Sequence, residues 1–314
     1  MRALARDGLN RPEGVEHAMP WGYALDSDGA WTVLIETSPD RSFGQALVAA
    51  TRHGAASLDL LVDAAHAGTV ARRAQLFEPV PTVWAVDDTS LTAVDPSSVR
   101  VAGAVDAAPL EPRLAELLTM PEVATVVEHG SIIGECRGLE VARVTGAGED
   151  QRVDVGVGAY DQGAFAVMNP ELTPQESLAE VVAQVLEHRR RGAEPHPLNR
   201  LVRERWLRAE LIDEPTRIDL AQIEPVEGAV PRDGLHDVAP AFGWAPTERV
   251  LVACSVGIDL DLVPAAAEVA ARHDAQRIVL VLPERDQHAM TLAVAERCRF
   301  AVSVVTADEP WPKA

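Results

Sequence analysis

The sequence predicts an α/β protein in which two similar flanking βαβαβ units surround a central α+β unit. Strand and helix patterns alternate near both ends of the chain, which is typical of parallel strands joined by right-handed crossovers. Between these ends, three strand patterns are separated by glycine-containing turns, which predicts an antiparallel three-stranded meander. The two ends also align with each other at an offset of 220 residues.

The first unit, residues 1–103, alternates between β-branched runs and helical patterns. The predicted strands are Trp31–Glu36, Ser57–Val62 and Thr82–Val86, and the predicted helices are Phe43–His53 and His66–Phe77. Each helix lies between two strands, so we expect the strands to pair in parallel.

The central unit, residues 104–215, begins with a helical pattern over Leu114–Glu128. The three strands of the meander follow at Ser131–Cys136, Leu139–Val144 and Arg152–Val157. Thr173, Pro174 and Glu176 carry the signature of a helix start, with an N-cap, a proline in the first turn and a capping-box glutamate. Helices are predicted from there to Arg191 and over Leu198–Ile212. Recurrent prolines without a clear period then predict a linker over residues 216–247.

The last unit, residues 248–314, repeats the order of the first. The predicted strands are Arg249–Cys254, Arg277–Leu282 and Ala301–Val305, and the predicted helices are Leu262–His273 and His288–Cys298. At the offset of 220, Arg52 and His53 fall on Arg272 and His273. An internal duplication explains this alignment. The alternative is a chance match between two alanine-rich α/β segments.

The composition excludes several classes of enzyme. The only lysine is Lys313 near the C-terminus, so the chain lacks the lysine of the Walker A loop, of protein kinases and of pyridoxal phosphate enzymes. No Gly-x-Gly-x-x-Gly follows a strand, and we expect no nucleotide cofactor. The sequence shows neither a secretory signal nor an apolar stretch of membrane-spanning length, which predicts a cytoplasmic protein without membrane contact.

A run of arginines, here called the arginine patch, stands out in a chain of formal net charge −20. The predicted nucleic-acid-binding residues are Arg189, Arg190, Arg191, Arg200, Arg203, Arg205, Trp206 and Arg208. We expect the arginines to contact a phosphate backbone, such as that of DNA, with Trp206 stacked on a base or packed inward. The sequence does not distinguish DNA from RNA. The helical pattern predicts that Arg200, Arg203 and Arg208 face solvent. The alternative is that the arginines pair with acidic residues of the protein.

Three acidic residues on the predicted meander form a candidate metal site. Glu135, Glu140 and Asp154 lie on neighbouring strands, and clustered carboxylates of this kind can bind Mg²⁺ or Mn²⁺ and activate a water molecule. The order of helix, meander and helix resembles the core of the restriction-endonuclease-like PD-(D/E)XK superfamily. This resemblance implies that the three acids are catalytic. The family's lysine is missing, which favours a relative that binds without cleaving. The alternative is that the acids are solvated residues of a strand face.

A third candidate lies after the first strand of the last unit. Ser255 sits in a small-x-Ser-x-Gly pattern at a strand end, as in a nucleophile elbow, and Asp286 and His288 follow the next strand. Together they could form a nucleophilic relay. The alternatives are a metal site at Asp259 and Asp261, or a polar loop in which Asp259 caps a helix.

These observations lead to three functional hypotheses. The first is a nucleic-acid-associated protein with a nuclease-like core of reduced or absent catalysis. The second is a small-molecule hydrolase, or a phosphate-ligand enzyme, that works at Ser255, Asp286 and His288. The third is a non-enzymatic scaffold that binds protein partners through its acidic surface.

Overall fold

The structure, a computed structural model, describes residues 4–11, 14–88, 90–96, 106–158, 161–162, 171–232 and 234–312. The chain forms two compact units. Unit 1 comprises Met1–Ala102, Leu260–Ile278 and Gln287–Val302, and unit 2 comprises Gly103–Asp259, Val279–Asp286 and Ser303–Ala314. The predicted C-terminal segment is therefore divided between the two units. In the described part of the chain, no helix has the length and apolar character needed to cross a membrane.

Unit 1 contains a six-stranded sheet in the order β1-β2-β3-β4-β5-β6. The strands are β1 (Val15–Met19), β2 (Gly22–Ser27), β3 (Ala30–Ile35), β4 (Ser57–Asp63), β5 (Thr82–Asp87) and β6 (Ser90–Ala93). β3, β4 and β5 pair in parallel, as the sequence predicts, while β1, β2 and β6 pair antiparallel at the two edges. The edge strands were not predicted.

The helices of unit 1 are α1 (Pro39–Arg52), α2 (Ala64–Ala74), α6 (Leu262–Arg272) and α7 (Ala289–Glu296). α1 and α6 bury several alanines, which allow close packing. At Gly44 in α1, a Cβ atom would lie 2.1 Å from the backbone oxygen of Leu260. The nitrogen of Gly44 also donates a hydrogen bond to Asp261, 3.2 Å away. Gly44 is therefore required where α1 meets the chain that enters α6.

Unit 2 contains the predicted meander, with one additional strand. The four antiparallel strands run in the order β10-β9-β8-β7 and comprise β7 (Ala124–Glu128), β8 (Ser131–Cys136), β9 (Leu139–Thr145) and β10 (Arg152–Val155). The helices beside them are α3 (Pro112–Leu118) and α4 (Pro174–His188). The helix predicted over Leu114–Glu128 is wrong after Leu118, because the β-branched residues from Thr125 to Val127 favour a strand. The capping box before α4 is confirmed: Thr173 Oγ1 accepts from the nitrogen of Glu176, whose carboxylate accepts from the nitrogen of Thr173.

A second, five-stranded sheet has the order β11-β12-β13-β14-β15. Its strands are β11 (Glu224–Val226), β12 (Ala241–Ala245), β13 (Val250–Cys254), β14 (Arg277–Leu282) and β15 (Ala301–Thr306). The carboxyl ends of the last three strands are neighbours, since the nitrogens of Ser255 and Ala307 donate to the carbonyls of Val281 and Leu282. Helix α5 (Arg203–Asp213) packs on β12 and β13.

The structure confirms the predicted α/β class and places two strands where a linker was expected. β11 and β12 lie within residues 216–247, and β12 pairs with β13 along its whole length. Prolines around β12 and Gly243 within it hide the strand pattern in the sequence. The internal duplication stays a prediction.

Candidate ligand-binding site

The structure corrects the exposure predicted for the arginine patch. The side chains of Arg189, Arg205 and Arg208 are buried, with 1%, 5% and 2% exposed, and Trp206 is fully buried. Consecutive residues of helix α5, from Glu204 to Arg208, are buried, so the helix has buried side chains on several faces. Its helical period therefore does not distinguish an apolar face from a solvent-exposed face. These four residues therefore cannot reach a nucleic acid from the surface.

Arg205 and Arg208 are counter-ions of a buried glutamate. Arg205 Nη1 lies 2.9 Å from Glu135 Oε1, and Arg208 Nη2 donates to Glu135 Oε2. Arg205 Nη2 also donates to Glu128. Burial acts to raise the pKa of Glu135, but the charges of Arg208 and Arg205 outweigh burial and hold this pKa below its ordinary value. The network ties helix α5 to strands β7 and β8.

Arg189 is held by backbone carbonyls and an aromatic ring. Its guanidinium donates to the carbonyls of Arg137, 2.7 Å away, Leu198, 3.2 Å away, and Leu201. It lies 4.9 Å from the ring centre of Trp206, a cation–π contact. Burial lowers the pKa of Arg189 to about 9. Arg189 thus supports the chain between α4 and α5.

The remaining arginines of the patch differ in exposure. Arg191 is exposed and lies 3.1 Å from Glu210. Arg203 is half-buried, donates to the carbonyl of Asn199 and lies over the ring of Trp311. Arg190 and Arg200 are exposed, as predicted for Arg200. The seven arginines therefore do not form one free cationic surface.

The predicted metal ligands do not come together as a metal site. Glu140 accepts from Arg143 Nε and Nη2 at 2.8 and 2.6 Å, while Glu135 is occupied by arginines of α5. Asp154 accepts from Thr145 Oγ1 and from Arg152. Within the described residues, no three His, Cys, Asp or Glu side chains are placed to hold a metal ion together.

The predicted relay residues have other roles. Ser255 is 1% exposed, so its hydroxyl is closed to a substrate. Asp286 accepts a hydrogen bond of 2.8 Å from the nitrogen of Gly257 and so holds the loop that follows β13. His288 is exposed and precedes the first residue of α7. Burial of Ser255 argues against its predicted role as a nucleophile.

A cavity of about 680 Å³ in unit 2 is the strongest candidate site. Its walls come from the ends of β7 and β8, from β9, from α5 and from the loop that leads to β12. The charged residues of the wall are Glu128, Glu140, Arg143, Asp161, Arg205 and Arg232. Leu201 and Leu235 supply an apolar side. Glu140 and Arg205, both predicted as site residues, therefore line the same cavity.

The arginines of this cavity are each matched by protein acceptors. Arg143 pairs with Glu140, and Arg205 pairs with Glu128 and Glu135. Arg232 pairs with Glu204 and donates to the carbonyls of Asp237 and Ala239 at 2.7 and 2.6 Å. The wall therefore offers polar groups without a net excess of positive charge. Arg232 lies in a segment with no sequence period, and no signal identified it in advance.

Comparison of the chain with protein-family models, with curated proteins and with solved structures gave no match.

Two stacked histidines near the end of α4 predict a pH-dependent stability. The rings of His188 and His196 lie 3.6 Å apart and nearly parallel, and His196 Nδ1 accepts from the nitrogen of Leu198. Burial, followed by the charge of protonated His188, lowers the pKa of His196. The unfolded chain therefore binds a proton at His196 more tightly than the folded protein does. The stability that neutral His196 contributes is present above pH ~6.5 and is lost as the pH falls through the lowered pKa of His196 in the folded protein.

We expect the melting temperature of the wild type to fall more steeply from about pH 7 to pH 5 than that of His196→Asn, which keeps an acceptor for Leu198. His236→Asn, at an exposed histidine, is the matched control and should follow the wild type. Equal slopes for the wild type and His196→Asn would contradict this role of the stacked pair.

Proposed function

We propose that unit 2 binds a small, polar, uncharged molecule in the cavity lined by Arg143, Arg205 and Arg232. The observation that carries this proposal is a cavity of about 680 Å³ whose three arginines and three carboxylates are balanced in charge. Small-molecule sites commonly have volumes of about 300–1,000 Å³ and combine apolar walls with a few polar groups.

The charge balance of the wall favours an uncharged ligand. An anion would find each arginine already paired with a carboxylate, and it would approach a chain of net charge −20. A cation would find the carboxylates of Glu128 and Glu140 already bound to arginines, and Asp161 already accepting from the nitrogen of Val157. A neutral ligand can donate to these oxygens and accept from the guanidinium groups without carrying an uncompensated charge into the cavity.

Arg143 is the residue best placed to contact such a ligand. Its side chain is 32% exposed, and Glu140 occupies its Nε and Nη2. Among the described residues, none accepts from Nη1, and in the proposed complex a ligand oxygen accepts from it. Leu201 and Leu235 then offer an apolar surface for the carbon skeleton of the ligand.

The test is a thermal-shift screen with three matched panels: monosaccharides and nucleosides as uncharged compounds, dicarboxylates as anions and polyamines as cations. We expect saturable stabilisation by members of the uncharged panel alone, since a ligand that binds the folded state raises its melting temperature. Arg143→Ala should weaken binding of these compounds by about tenfold. Arg152→Ala is the control, because Arg152 is exposed on the neighbouring strand β10.

Gly234→Trp tests whether binding takes place in the cavity. Gly234 lines the cavity, and a Cβ atom there would meet no atom within 4 Å, so a bulky side chain can be placed at the cavity wall without a clash at its base. We expect this variant to fold normally and to lose the thermal shift. Shifts that persist in Gly234→Trp, or a screen without any saturable uncharged ligand, would contradict the proposal.

The nucleic-acid interpretation made from the sequence stays a prediction. Its remaining support is the meander and the exposed Arg190 and Arg200. Burial of Arg189, Arg205 and Arg208 removes the cations on which it mainly relied. The geometry of unit 2 therefore supports small-molecule binding better.

A further inference from the structure

Unit 2 contains a second cavity, of about 600 Å³, with a different chemical character. Its floor consists of core residues, among them Leu207, Leu211 and Ile218. Val281 and Val305, from β14 and β15, continue this apolar surface at the carboxyl ends of the two strands. Open α/β sheets commonly bind ligands at the carboxyl ends of their strands.

Two exposed arginines at the rim of this cavity contact the same carboxylate oxygen. Arg191 Nη2 lies 3.1 Å and Arg217 Nη1 lies 3.7 Å from Glu210 Oε2. Arg217 Nε also donates to Glu214 at 2.5 Å, so only the Nη side of Arg217 faces the shared position. The side chains of Arg191 and Arg217 are 47% and 39% exposed, whereas the side chain of Arg205 in the first cavity is buried. Glu210 Oε2 thus lies between the guanidinium groups of Arg191 and Arg217. Because these two side chains are exposed, a ligand can reach them.

When a ligand displaces the Glu210 carboxylate from Arg191 and Arg217, another arginine remains beside Glu210. Its other oxygen, Oε1, lies 3.7 Å from Arg137 Nη1. A ligand carboxylate can therefore take the place between Arg191 and Arg217 while Glu210 keeps Arg137 as a neighbour. Asp308 also lines the cavity, which disfavours ligands that carry more than one negative charge.

We infer that this cavity binds an amphiphilic monocarboxylate. The carboxylate group lies between Arg191 and Arg217, and the apolar chain covers Leu207, Leu211 and Ile218. Arginine is suited to this role, since its planar guanidinium matches a carboxylate. The inference does not depend on the proposed function, because it concerns another cavity and an anionic ligand in place of an uncharged one.

The test is calorimetric titration with octanoate, octanol and octylamine, which share one chain length and differ in the polar group. We expect octanoate to bind and the other two to bind at least about tenfold more weakly. Arg191→Ala and Arg217→Ala should each weaken octanoate binding by about tenfold, while Arg190→Ala, at an exposed arginine outside the cavity, should not change it. Glu210→Gln removes the competing carboxylate and should strengthen binding several-fold.

Two outcomes would overturn the inference. Equal binding of octanol and octanoate would show that the arginines do not select the carboxylate. Failure of octanoate to bind to the folded wild type would show that the cavity does not accept this class. Gly234→Trp should leave octanoate binding unchanged, so failure of the first cavity as a site and failure of the second are distinguishable.

Discussion

Glu135→Gln is expected to lower the free energy of unfolding by about 3–5 kcal/mol, the usual cost of removing one partner from a buried ion pair. Glu135 is 5% exposed and accepts from Arg205 and Arg208, which are also buried. The neutral amide would leave Arg208 without a carboxylate partner among the described residues. Denaturant unfolding, monitored by hydrogen exchange of the amides of unit 2, measures this loss in the free energy of unfolding.

Two further variants determine whether the missing charge causes the loss. Glu149→Gln, at an exposed glutamate of unit 2, should change stability by less than about 0.5 kcal/mol. Glu135→Leu combined with Arg208→Met removes both charges, and we expect it to be more stable than Glu135→Gln alone. Glu135→Leu and Arg208→Met are also measured singly. If their losses in the free energy of unfolding add up to the loss in the double variant, Glu135 and Arg208 do not pair directly.

Glu268→Gln is the corresponding prediction for unit 1, again with a loss of about 3–5 kcal/mol. Glu268 accepts from Arg72 Nη2 at 2.9 Å and from Arg73 Nε, and the side chain of Arg73 is fully buried. Arg73 keeps Asp261, 3.2 Å away, as its remaining carboxylate. Hydrogen exchange in the strands and helices of unit 1 measures the loss.

The matched control is Glu78→Gln in the same unit. Glu78 is 72% exposed and lies 3.4 Å from Arg299, an exposed pair of the kind that contributes about 0–1 kcal/mol. A loss in Glu268→Gln no larger than that in Glu78→Gln would show that Arg73 does not depend on Glu268 for its charge balance.

The sequence predicts those parts of the fold whose pattern is local. β4 and α2 are recognised because a buried apolar run and an amphipathic helix follow each other with clear boundaries. β7 and β12 are missed for local reasons too. β7 directly follows a helical pattern, and prolines and a glycine interrupt the period around β12.

The candidate site could be predicted only in part. Glu140 and Arg205 are found by their charge. Arg143, the partner of Glu140, is three residues away on the same strand, but Glu128 and Glu135, the partners of Arg205, lie far along the chain. Arg205 and Glu135 are 70 residues apart, and only the packing of α5 beside the meander brings them together. A helical period shows which residues share a face. It does not show that both faces of a helix are covered, and this is why Arg208 was expected at the surface.

Labelling of arginines by phenylglyoxal, read by peptide mass spectrometry on the folded protein, tests the central claim most directly. Arg205 and Arg208 are counter-ions of Glu135, and Arg189 is bonded to backbone carbonyls, so these arginines do not form a surface for polyanions. We expect rapid modification of Arg190 and Arg200 and protection of Arg189, Arg205 and Arg208 until the protein unfolds. Modification of Arg205 and Arg208 at the rate of Arg190 would contradict the account.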